Sequence, residues 1–110
     1  MNTNEFVACW KAHKENLLAA FLEPEPENKS MVAEKITLLN LRPDQLPIMR
    51  DVVDGILTDA LYSLLLGLAG AASIGDIQQP YQLYDESGNL ISDCDELESQ
   101  AFEQFHGDTA

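Results

Sequence analysis

After Arg50 the chain contains no lysine and no arginine, although twelve acidic residues follow. All six basic residues (Lys11, Lys14, Lys29, Lys35, Arg42 and Arg50) precede that point, and the formal net charge is −13. Nucleic-acid binding needs cations that displace counterions from phosphates, so this lack argues against it. It argues equally against docking on an anionic membrane surface. Cysteine is scarce as well. Cys9 and Cys94 are too few for a disulfide framework, and two cysteines and two histidines scattered at opposite ends of the chain suggest neither a zinc site nor a Cys–His nucleophile pair. There is no glycine-rich phosphate loop, because GLAGAASIG follows a helical pattern rather than a strand. The opening MNTNEFVACWKAHKENLL lacks the basic start and apolar run of a signal peptide. A cytoplasmic chain with free thiols and no cofactor is expected.

What is present supports one domain spanning residues 1–110. A hydrophobic fraction of 45% suffices for a core and excludes the composition of a disordered chain. The most apolar stretch, ILTDALYSLLLGLAGAASIG over 56–75, is about as long as a bilayer is thick. Asp59 lies within it, and a central charge costs about 2.5–3.5 kcal/mol on insertion scales. Asp51, Asp54 and Asp76 flank it, with no cation beyond residue 50 to anchor a cytoplasmic side. It reads as a core helix, and no membrane association is expected.

Periodicity predicts helices over 3–22, 30–40, 44–70 and 94–106. In the first, Phe6, Trp10, His13, Leu17 and Phe21 form the apolar stripe, widened by Val7 and Leu18. The acidic, proline-containing EPEPEN at 23–28 is a linker. The second segment also suits a strand at Ile36, Thr37 and Leu38. The third carries Met49, Val53, Ile56, Leu57, Ala60, Leu61, Leu64, Leu65 and Leu68 as one stripe, with Asp51, Gly55, Thr58, Asp59 and Tyr62 opposite. YQLYD and LIS flank ESGN, which predicts a β-hairpin over 81–92. The last helix opens with Asp93 and Glu96 as a capping box and buries Cys94, Leu97, Ala101 and Phe105, with Phe102 broadening the stripe. The expected class is therefore α+β, mainly α.

Counting a calcium loop from Asp85 places oxygen-bearing side chains at every side-chain ligand position through Glu96. Leu90 nevertheless stands where the sixth position needs glycine, so no metal is expected. The acidic residues read either as a solubility feature or as a recognition face for a basic protein. That face comprises Asp51, Asp59 and Tyr62 on the long helix, with Asp85, Glu86, Asp95, Glu96, Glu98 and Glu103 in the last third. Tyr62, opposite the stripe, is expected to be exposed as an anchor.

LRPDQLPIMRDVVDGILTDALYSLLLGLAG together with YQLYDESGNLISDCDELESQAFEQFH, within residues 41–106, resembles small acidic bacterial proteins of the toxin-immunity type. The resemblance implies a stoichiometric binder without an active site, and it transfers no functional residue. A nuclease toxin, basic because it binds phosphates, would suit such an inhibitor. The chain is thus expected to be a non-enzymatic binding protein that masks a basic surface, as a monomer or weak homodimer. Two alternatives stand beside this: a secretion or effector chaperone, and a hydrolase using clustered carboxylates.

Overall fold

Polar residues set the helix starts. In the computed structural model, which describes residues 1–107 apart from the side chain of Cys94, helix α1 spans Thr3–Leu22. The Asn2 side chain accepts from Glu5 N at 2.8 Å while the Glu5 carboxylate accepts from Asn2 N at 3.1 Å, a complete capping box. Ser30 caps α2, Met31–Leu38, and Asn40 at φ 51° lies beyond its end. Helix α3, Leu46–Leu68, has Pro47 in its first turn, where a missing N–H costs nothing. It stops because Gly70 adopts φ 83°, so that Gly70 N donates to Gly67 O and Ala71 N to Leu66 O. A side chain at Gly70 would also strike Pro80 at 3.0 Å. Helix α4, Cys94–Phe102, starts on Asp93 and continues into a π-helical turn, Glu103–Gly107. The second and third helices are thus shorter than expected, and the strand alternative for 30–40 is not realised.

The α+β class and the hairpin over 81–92 are not found: the chain is helical, with no strand or sheet among the described residues. The turn itself exists, with Gly88 at φ 87° and a single bridge between Tyr84 and Leu90. Two backbone bonds flank that bridge, Ile91 N to Leu83 O at 2.7 Å and Asp85 N to Asn89 O at 2.9 Å, and side chains take over beyond them. Asp85 Oδ1 accepts from Ser87 N and Asn89 N, both at 2.9 Å, closing an Asx-type loop. Buried Ser92 Oγ accepts from Leu83 N at 2.8 Å and donates to Tyr81 O at 2.6 Å. Tyr81 N in turn donates to Leu68 O at the end of α3. Backbone groups that a partner strand would occupy are already satisfied.

Helices α1, α3 and α4 pack mutually, whereas α2 rests on α1. The central core joins Val7 of α1, Leu65 and Ala69 at the end of α3, and Leu97, Ala101 and Phe105. Opposite that end, Lys14 meets Asp54, and Glu23 meets Arg50, so α1 and α3 run antiparallel. Helix α4 covers only the half of this pair that holds the core. The radius of gyration is 16.4 Å, against about 13 Å for a compact chain of this length. The excess reflects the arm made by α2 and the first half of α3. Met31 and Leu38 on α2 each retain 76% of their exposure. Among the described residues no helix is long and apolar enough to cross a membrane.

Positional expectations on α1 and α4 need correction. The buried line of α1 runs through Thr3, Val7, Lys14 and Leu18, which leaves His13 exposed and turns Lys14 inward. Phe102 is exposed rather than part of the α4 stripe. The burial expected for Cys94 falls outside the described side chains.

Candidate functional site

Helix α3 leaves a row of apolar side chains in solvent along most of its length. Ile48, Val52, Ile56, Ala60 and Leu64 are all exposed and spaced four residues apart. Such side chains stand one above the other as a ridge inclined to the helix axis. Beside it runs a second exposed row, Asp51, Gly55, Asp59 and Ser63, whose side chains are short. Nothing lies within 4 Å of a side chain built at Gly55. The stripe assigned from sequence held Ile56, Ala60 and Leu64 but not Ile48 and Val52. Two β-branched residues outside a stripe already wide enough for burial were the available signal of a second apolar row.

The ridge ends at a groove. Leu64 joins Leu61 of α3 and Phe6, Cys9, Trp10 and His13 of α1 around an open apolar hollow of about 550 Å³. Phe6 and Trp10 meet edge to face, with ring centroids 5.9 Å apart. The Cys9 thiol is exposed.

Electrostatics separate this face from its surroundings. The cations near α3 are engaged elsewhere. Lys14 Nζ is 2.8 Å from Asp54 Oδ1, and Arg50 pairs with Glu23 at 3.5 Å. The hydrogen bond from Lys14 holds the Asp54 carboxyl below its ordinary range. Asp51 and Asp59 are exposed on the outer face.

The residues expected to form one recognition face lie in three places. Asp51 and Asp59 flank the ridge. Tyr62 is half-buried, with its ring 6.4 Å from Phe105 and edge-on to His106 at 4.6 Å. It therefore packs against the core instead of standing free. Asp85 is committed internally: the backbone and side-chain N–H groups of Asn89 and the Met1 ammonium at 2.9 Å hold its carboxyl well below the usual range. Glu86 is exposed at the loop tip, and Asp95, Glu96, Glu98 and Glu103 are exposed along α4 and its terminal turn. Among the described residues no three His, Cys, Asp or Glu side chains are grouped to hold a metal ion. Comparison with protein-family models, with curated proteins and with solved structures finds no match, so the immunity-type resemblance rests on the sequence alone.

Proposed function

We propose that the chain is a non-enzymatic binding protein that masks a basic surface of a partner protein, in the manner of a toxin-immunity protein. The observation that carries this reading is the outer face of α3, where an exposed apolar ridge is flanked by Asp51 and Asp59 and by no cation. Monomers seldom expose contiguous apolar surface without a use for it. Carboxylates beside such a ridge select cationic partners and speed their encounter. The acids of α4 extend the negative field over the other end of the molecule and steer the same partner over a longer range.

The secretion-chaperone reading draws on α2, whose Met31 and Leu38 could hold an extended apolar client. It differs in its target: a chaperone binds its client unfolded, whereas an immunity-type inhibitor binds a folded protein.

The test is capture of partners from the native cell, followed by association kinetics at rising ionic strength. A basic, folded partner is expected, with an on-rate that falls steeply as the Debye length shrinks from about 30 Å at 0.01 M to about 8 Å at 0.15 M salt. Neutralising Asp95, Glu96 and Glu98 together should slow association and leave dissociation nearly unchanged. Capture of acidic partners alone, or kinetics indifferent to salt, would overturn the reading.

A further inference from the structure

We propose that the outer face of α3 receives an amphipathic helix of the partner, seated on Ile48, Val52 and Ile56 and crossing obliquely towards Leu64, with lysine or arginine against Asp51 and Asp59. The inference rests on the basic-partner reading and adds to it the place and the mode of recognition.

The geometry selects a helix. Five apolar residues at four-residue steps span about 24 Å at 1.5 Å per residue and turn about 40° round α3 at each step, so a partner helix seated on Ile48, Val52 and Ile56 crosses α3 obliquely on its way to the Leu64 end. Ile48, Val52 and Ile56 keep 63%, 51% and 61% of their exposure, so the ridge stands clear of its own protein. The neighbouring Asp51–Gly55–Asp59–Ser63 row is low and forms the groove that the ridge of a second helix needs. Glycine inside an exposed helix costs about 1 kcal/mol relative to alanine, and no intramolecular contact at Gly55 offsets that cost. Close approach of another chain would account for it.

Charge selects the kind of helix. Asp51 and Asp59 lie eight residues apart, on one side of the helix and about 12 Å along it. Cations two turns apart on a partner helix would meet both. A second copy of this chain would instead set these carboxylates against their own counterparts, a repulsion that nothing on the face relieves. The hollow at the Leu64 end supplies the anchor point. Its aromatic wall of Phe6 and Trp10 suits a large apolar side chain, which would close the open hollow on binding and concentrate binding energy there.

The test uses synthetic helices of about 18 residues, long enough to span the ridge. One carries leucines in a four-residue row flanked by lysines, a second has the same composition in scrambled order, and a third has glutamate in place of lysine. Amide chemical shifts of the intact protein locate each peptide, and Trp10, the sole tryptophan, reports on the hollow by fluorescence. The ordered leucine–lysine helix should perturb residues 48–64 and Trp10 and bind at least about tenfold more tightly than the scrambled peptide. Val52→Ser with Ile56→Ser should weaken it about tenfold, and Asp51→Asn with Asp59→Asn should weaken it and flatten its salt dependence. These side chains are exposed, so circular dichroism should show unchanged folding. Equal binding of the scrambled peptide, shifts confined to 93–103, or no binding at all would overturn the helix-docking proposal. A basic native partner that binds with strong salt dependence would still uphold the broader reading in those cases. Sedimentation of the free chain as a dimer with 48–56 covered, or docking of this face on neutral phosphatidylcholine vesicles, would assign it to another occupant and also overturn the proposal.

Discussion

Lys14 Nζ donates to Asp54 Oδ1 at 2.8 Å and to Thr58 Oγ1 at 3.1 Å, tying the middle of α1 to the middle of α3. The lysine is buried, while the Asp54 side chain keeps 44% of its exposure. That asymmetry decides what each substitution does. Removing Lys14 leaves a carboxylate that water can reach, whereas removing Asp54 leaves a buried ammonium group with only the Thr58 hydroxyl and, at 3.8 Å, the exposed Glu15 carboxylate. Asp54→Ala should therefore cost about 1–3 kcal/mol, and Lys14→Met less than about 1 kcal/mol. Denaturant titration of both single variants and the double variant gives the order and the coupling. Equal losses would show that Lys14 reaches solvent once its partner is gone.

The same pair shows where sequence reasoning stops. Helix existence was legible from periodicity and caps: Asn2, Ser30 and Asp93 each stand one residue before a helix, and each accepts from the backbone as its type requires. The exact rotation of α1 about its axis, which buries Lys14 and exposes His13, was not legible. Val7 and Leu18 of the expected stripe are buried and Phe6 and Trp10 pack half-buried against the core, but His13 stays outside and Lys14 turns in, towards Asp54 and Thr58 some forty residues away. The exposure of the α3 ridge was hidden for a related reason. Apolar residues nearly encircle α3, and only the short reach of α4 determines which side remains open. Within the candidate site, Asp51 and Asp59 were identifiable as acids opposite a stripe, but the ridge beside them was not.

Ser92 marks where the pairing within 81–92 stops after one bridge, short of a hairpin with strands. Its hydroxyl satisfies Leu83 N and Tyr81 O in a buried position. Ser92→Ala should leave Leu83 N without a partner and destabilise the protein by about 1–3 kcal/mol. Thermal melting checks this. A change within about 0.5 kcal/mol, the range typical of surface substitutions, would mean that water replaces the hydroxyl.

Tyr62 contributes to packing. With its ring against Phe105 and His106, Tyr62→Ala should cost about 1–3 kcal/mol and lower the melting temperature by several degrees. Tyr62→Phe keeps the ring and should be close to neutral. An alanine variant that melts with the parent would restore the view of Tyr62 as a free anchor.

Asp85 gives the acid limb of stability a specific source. Its carboxyl is held below the ordinary value of about 3.9, so its stabilising effect is complete above that pH and disappears as pH falls through the lower folded-state value. Asp85→Asn should therefore be less stable than the parent at neutral pH, with the difference shrinking in strong acid. Comparing variant with parent cancels the relief of general charge repulsion that protonating nineteen acidic residues brings. A stability difference independent of pH would assign the effect to loop geometry rather than charge.

Hydroxyl-radical footprinting of the chain, free and in complex with its native partner, tests most directly whether the outer face of α3 is the binding surface. In the free protein Ile48, Val52 and Ile56 should be oxidised readily, as their exposure requires. In the complex their rates should fall together with those of Leu64 and Trp10, while Phe102 on α4 stays reactive. Protection confined to α4 and its acidic residues, with Val52 and Ile56 as reactive as before, would contradict the account.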